Sequence, residues 1–305
     1  MNKPLMVLGL SIPFLLIACK PVTTTVGHLY FVSPSYSDIY DYSIGSDSSL
    51  NLISTQALPA TGNSFAVATD PTGQYAVVAN NTTGALYSYS ITTGGVLSTS
   101  PTATSSSPAN TNPVALAIDP TGQYVYVANS GTNNSISEYS IGTNGALSLM
   151  TTLSLSGTSP NSIAIVGQSV YVVTGNSLIS QYTIDANGVL MSAGTASISI
   201  AGAYGITVNP TGQYAYVATT TGVQEYTIGS NGALTAISAP VALTGNAPYS
   251  IAIDPTNSFA YVTSSGTTNV SVYSIGDNGA LTPETAVTVT SPTADVSSIA
   301  ITSDL

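Results

Sequence analysis

The sequence predicts an all-β fold, a closed β-propeller of six four-stranded blades, and three observations predict it. A Tyr-(Ser/Thr)-Ile signature recurs at Tyr42, Tyr89, Tyr139, Tyr182, Tyr226 and Tyr273. Each copy is followed by a G/S-x-Leu turn, ending at Leu50, Leu97, Leu147, Leu190, Leu234 and Leu281. The two ends of the chain carry complementary fragments of the same repeat. His28 to Leu58 enters it without a first strand, and Val296 to Leu305 matches only a first strand and its turn.

The unit starting at Pro113 shows how one repeat folds. Pro113 to Asp119 is a short apolar run and reads as the first strand. Asp119-Pro120-Thr121-Gly122 is a tight turn: proline presets φ, the Asp side chain accepts from the backbone, and glycine takes the left-handed corner. Gln123 to Asn129 (QYVYVAN) is nearly all Tyr, Val and Ala, as suits a strand covered on both faces. Ser135 to Ile141 alternates small polar and apolar residues, Thr143-Asn144-Gly145 is a hairpin turn, and Leu147 to Leu155 is a looser fourth strand. Four antiparallel strands in about 45 residues make one blade. Whole units start near Ser64, Pro113, Asn161, Tyr204 and Tyr249, and the C-terminal strand is expected to complete the N-terminal blade. The Ser/Thr/Pro-rich stretch from Ser98 to Asn112 is expected to be a loop.

Ahead of the repeats, residues 1–18 read as a lipoprotein signal peptide. Lys3 is the positive end, Leu5 to Ile17 the apolar core, and Leu16-Ile17-Ala18-Cys19 resembles a bacterial lipobox. Cys19, the single cysteine, is the expected lipidation site. Residues 19–27 are the lipidated tether and 28–305 a single propeller domain. Lys20 after the cysteine favours the outer membrane by resemblance to lipoprotein sorting in Gram-negative bacteria. The expected location is the bacterial cell envelope, with the membrane engaged through the lipid on Cys19.

Composition excludes several partner classes. The chain has two Lys or Arg residues, Lys3 and Lys20, against thirteen acids, and no arginine. Without cations the propeller lacks the means to neutralise phosphates, so nucleic acid, anionic lipid surfaces and phosphorylated ligands are disfavoured.

The runs Gln123 to Asn129 (QYVYVAN), Gln213 to Thr219 (QYAYVAT) and Phe259 to Thr263 (FAYVT) resemble YVTN-type propeller repeats. With the Ile-Asp-Pro-Thr-Gly run ahead of the first of these, they are similar to the lactonase-like propellers that include 6-phosphogluconolactonases. The resemblance implies the propeller fold and a lactonase-like hydrolase. Those relatives commonly have seven blades, against six units here, and their polar catalytic and phosphate-binding side chains find no match in this chain.

No catalytic constellation stands out. His28, the only histidine, aligns with Gln123 and Gln213 after the turn glycine and reads as a solvent-facing residue. No Ser-His-acid set, metal ligand set or cofactor motif is present in the pattern. Asp70, Asp119 and Asp254 are explained by turn chemistry, one per blade. The tyrosines at positions 75, 124, 126, 214, 216 and 261 are assigned to packing between blades. The candidate ligand-binding residues lie in loops expected to share one face: Asn63, Asn112, Asn161, Tyr204, Tyr249 and Asp295 before the first strands, Asn129 and Asn176 after the second. The expected function is a non-catalytic, lipid-anchored binding module for a protein or neutral glycan at that ring face. The alternatives are a lactonase-like hydrolase and a structural surface or matrix protein.

Overall fold

A computed structural model describes residues 24–303, apart from 34–36, 60–63, 109–110, 157, 195–196, 238–239, 243–247, 265–268, 285–286 and 289–297. Cys19, the segment before it, Asn63 and Asp295 lie outside the described residues.

The described chain forms six antiparallel sheets arranged as a propeller. The inner strands are β4 (Ser64–Thr69), β8 (Thr111–Ile118), β12 (Pro160–Val166), β17 (Ala203–Val208), β21 (Pro248–Ile253) and β26 (Ser298–Ser303). Their neighbours are β5 (Tyr75–Asn80), β9 (Tyr124–Gly131), β13 (Ser169–Thr174), β18 (Tyr214–Thr219), β22 (Phe259–Ser264) and β1 (Thr25–Ser33). Third strands are β2 (Asp38–Gly45), β6 (Ala85–Ser90), β10 (Ser135–Ile141), β14 (Leu178–Ile184), β19 (Gly222–Ile228) and β23 (Asn269–Ile275). The outer strands are β3 (Leu50–Ala57), β7 (Ala103–Ser106), β11 (Leu147–Ser154), β15 (Leu190–Ser192), β20 (Leu234–Ala236) and β24 (Leu281–Pro283), and two short segments, β16 (Ile198–Ser199) and β25 (Val287–Thr288), also pair with β14 and β23.

Ring closure is as expected. The N-terminal blade runs β26-β1-β2-β3, with Tyr30 opposite Ala300 and Phe31 opposite Ile299. Pairing the chain's last described strand with its first makes β1 an interior strand and puts β26 at the channel, where the inner strand of every other blade lies. The expected loop from Ser98 to Asn112 is corrected: Ala103 to Ser106 is the outer strand of its blade, paired with β6, and β8 already starts at Thr111. An outer strand needs only backbone pairing and one half-covered face, which a Ser/Thr run with alternating burial supplies.

The core lies between blades. In one such layer Tyr126, Ala128 and Ile136 of one blade meet Ile163, Val170 and Val172 of the next. The second strands are therefore buried on both faces, whereas β11 is mostly exposed.

A polar clamp repeats across these layers. The Tyr126 hydroxyl donates to Gly188 O at 2.8 Å, Tyr171 to Gly232 O at 2.6 Å, Tyr216 to Gly279 O at 3.1 Å and Tyr30 to Gly95 O at 2.5 Å. In each case the acceptor is the turn glycine of the next blade's G-x-Leu motif. In two layers a buried carboxylate adds a second tie: Glu138 accepts from Leu190 N at 3.1 Å and Glu225 from Leu281 N at 2.6 Å. Where valine replaces the tyrosine, Ser88 Oγ donates to Gly145 O at 2.7 Å instead.

The clamp corrects the reading of His28. Tyr42 opposes Leu29 as Tyr139 opposes Val125, so Tyr30 matches Tyr126 and His28 matches Tyr124, not Gln123. A one-residue slip exchanges the two faces of a strand. His28 is accordingly buried, with Nδ1 3.4 Å from Asp41 Oδ1. Its ring lies over Gly95 as the Tyr124 ring lies over Gly188.

The Asp turns behave as expected. Asp119 Oδ1 accepts from the backbone of Gln123 at 2.8 Å and Tyr124 at 2.7 Å, and Oδ2 from Thr121 N at 3.0 Å. Asn209 fills the same role, accepting from Gln213 N at 3.0 Å and Tyr214 N at 2.8 Å.

Candidate active site

The six inner strands surround a central channel of about 400 Å³. Its wall follows from the repeat. Val67, Leu116, Ile163, Ile206, Ile251 and Ile299 occupy one register position, each flanked by small residues such as Ala115, Ala164 and Ala252. Serines stitch neighbouring inner strands together: Ser162 Oγ accepts from Ile206 N at 3.1 Å, Ser298 from Val67 N at 3.3 Å and Ser250 from Ile299 N at 3.4 Å.

The two ends of the channel differ. At one end are the Asp–Pro turns, whose carboxylates are engaged by their own backbone. At the other, β-bulges break the pairing of five inner strands with their neighbours, between Ser64/Ala66, Pro113/Ala115, Pro160/Ser162, Ala203/Gly205 and Pro248/Ser250. A bulge adds a residue without a cross-strand partner and re-aims its side chain. In three successive blades that residue is Asn161, Tyr204 or Tyr249, all candidates from the sequence.

These three form one arc of the rim. Asn161 and Tyr249 line the channel. Asn161 Nδ2 reaches Ala203 O at 3.4 Å, beside Tyr204. Tyr204 and Tyr249 are 41% and 39% exposed, whereas nine other tyrosines are fully buried. Partial desolvation, reinforced by the nearby Tyr204, raises the Tyr249 hydroxyl above the ordinary phenol range. It therefore remains a proton donor at neutral pH.

The other candidates separate. Asn112 is exposed on β8, and Asn176 is exposed in the turn after β13. Asn129 is corrected: it is buried, its amide donating to Val127 O at 3.0 Å and Ser137 Oγ at 2.9 Å, so it fixes its own blade and does not face a ligand. Sequence reasoning missed the bulge and the short spacing of β17 from β21. A Cβ on Gly205 would stand 2.9 Å from Tyr249 O and 3.3 Å from Ser250 Cα. Among the described residues no group of three His, Cys, Asp or Glu side chains is placed to hold a metal ion.

What the rim can do follows from its groups. Tyrosine hydroxyls and an amide can donate to a carbonyl oxygen as negative charge develops on it. No Lys or Arg occurs after residue 20, so a phosphate or carboxylate would meet no counter-charge there.

A family model described as lactonase, 7-bladed beta-propeller, matches residues 95–199 and 174–298, together well over half of the chain. Among solved structures, the periplasmic gluconolactonase of Pseudomonas aeruginosa is similar at 17% identity, with TM-score 0.67, 87% of this chain and 84% of that chain covered. A putative 6-phosphogluconolactonase from Bacteroides fragilis aligns at 18% identity and TM-score 0.65, covering 88% and 84%. A functionally unknown protein from Desulfotomaculum acetoxidans aligns at 18% identity and TM-score 0.63, covering 86% and 80%. No curated protein matches the chain. At such identities the solved structures carry the fold, while the family match reaches across the rim. The expectation of a non-catalytic binding module is thereby overturned in favour of its alternative, the lactonase-like hydrolase. The chain belongs to the lactonase family of β-propellers, and it builds that family's fold from six blades.

Proposed function

We propose that the protein is a lactonase-like hydrolase that opens a neutral sugar lactone at the bulged mouth of its channel. Family membership across residues 95–298 is the observation that carries this reading. The mouth supports it chemically. Asn161 and Tyr249 present neutral donors beside a channel walled by aliphatic and small residues, suited to holding the lactone carbonyl while water attacks it. The attack forms the bond from water oxygen to the carbonyl carbon. The tetrahedral oxyanion collapses by breaking the bond from the carbonyl carbon to the ring oxygen, and that oxygen takes the proton given up by the water and becomes a hydroxyl of the open-chain hydroxy acid. The absence of cations from the propeller favours an unphosphorylated lactone over a phosphorylated one. The test is pH-stat titration of acid released from a panel of neutral sugar lactones by the purified full chain. Release at the spontaneous rate across the panel would overturn the reading.

We further propose that Cys19 carries the lipid anchor of an outer-membrane protein, on the strength of the Leu-Ile-Ala-Cys run. Thr25 begins β1 near the Asp–Pro end, since Gly27 pairs with Ser303 while Val32 pairs with Ser298 at the mouth end. A tether entering there would turn the mouth away from the membrane. Mass spectrometry of the membrane fraction should find an acylated Cys19 N-terminus; a mature chain beginning elsewhere without lipid would contradict it.

A further inference from the structure

We propose that Tyr204 and Tyr249 form a stacking clamp for an uncharged sugar ring, with Gly205 setting the spacing of the strands that carry them. The ring's identity as a lactone rests on the hydrolase reading; the clamp itself rests on geometry. The bulge recurs in five blades, where its extra residue is Phe65, Val114, Asn161, Tyr204 or Tyr249, and among the described residues β17 and β21 are the one pair of adjacent blades that both carry an aromatic residue, tyrosine in each, at that position. Both rings are well exposed in a chain that buries most of its tyrosines for packing. Other exposed large apolar residues, Leu52, Ile53, Leu149 and Met191, sit on outer strands, away from the channel.

A tyrosine offers an apolar face with a polar tip, which fits the C–H faces and hydroxyl edges of a sugar ring. Gly205 brings the two strands close at this level. Any side chain there would meet the carbonyl oxygen of Tyr249 at 2.9 Å, so the strands would have to part. Asn161, one blade earlier on the same rim, supplies an amide for ring hydroxyls or a carbonyl.

The test uses δ-gluconolactam, a neutral ring that resists hydrolysis, titrated calorimetrically into the full chain. Tyr204→Ala and Tyr249→Ala are each expected to weaken binding about fivefold to tenfold, the loss of one stacking contact. Tyr204→Phe and Tyr249→Phe keep the ring face and should stay within about threefold of the native chain. Gly205→Ala should weaken binding without removing an aromatic. Circular dichroism and melting confirm that each variant folds. Lactam binding unchanged in both Ala variants, or no lactam binding by the native chain, overturns the clamp. Tyrosine-dependent lactam binding with no lactone turnover sustains the clamp and removes the hydrolase reading. Turnover unaffected in both Ala variants does the reverse.

Discussion

Glu138→Gln should stabilise the protein at alkaline pH and leave it nearly unchanged in acid. Glu138 is 1% exposed, between blades, with Tyr126 opposite it on β9, Thr151 opposite it on β11, and Asp185 and Leu190 of the next blade nearby. No cation faces it from these elements. Burial pushes its carboxyl up to about 7, opposed by the Leu190 N–H and reinforced by Asp185. Because the folded value lies above the unfolded one, the neutral form is favoured in the fold. The contribution is fully present below the unfolded value of about 4.5, and is lost as pH rises to about 7. A gap of roughly two and a half units corresponds to on the order of 3 kcal/mol. Glutamine keeps an oxygen for Leu190 N–H and carries no charge, and Gln181 already occupies the matching position one blade on. The gain of Glu138→Gln over the native chain should thus be near zero at pH 4 and on the order of 3 kcal/mol at pH 8, a rise of several degrees in Tm. Asp41, whose carboxyl is also raised, chiefly by burial, is common to both chains and cancels in the comparison. Thermal melts across pH 4 to 8 check this. Equal effects at both ends, or destabilisation at pH 8, would refute the reasoning.

Asp119→Ala should cost about 1–2 kcal/mol, as it strips acceptors from the turn backbone, whereas Asp119→Asn should cost little because Asn209 does the same work; urea melts of the pair check it. Gly188→Ala should destabilise strongly, since its Cβ would meet the Tyr124 ring at 2.3 Å and the backbone there has φ +80°; unchanged melting would contradict the clamp between these blades. Removing residues 296–305 uncovers the inner edge of β1 and takes away the buried Ile299 that packs against it, a burial worth about 1.5–3 kcal/mol alone. Aggregation or a much lower Tm is expected, and a melt like that of the intact chain would contradict ring closure.

The repeat made the blades and their closure legible, because Tyr-(Ser/Thr)-Ile and the Asp–Pro turns mark strand ends whatever surrounds them. His28 was misplaced because the first blade lacks its own preceding turn, so Gly27 stood in for Gly122. Aligning on Tyr42 and Tyr139 instead would have matched Asp41 with Glu138 and buried the histidine. Asn129 resembled a loop amide in sequence, yet Ser135 and Ser137 on the facing strand draw it inward. The rim was only half visible. Asn161, Tyr204 and Tyr249 could be named as loop residues, but the bulge that aims them, and the approach permitted by Gly205, are properties of strand pairing that no single strand displays.

The most direct measurement of the central claim is kcat/KM of the full chain on a neutral sugar lactone and on its phosphorylated counterpart, each corrected for spontaneous opening. A neutral mouth with no Lys or Arg in the propeller predicts measurable turnover of the neutral lactone, at least about tenfold above that of the phosphorylated one. Turnover of neither, or preference for the phosphorylated lactone, would contradict the account.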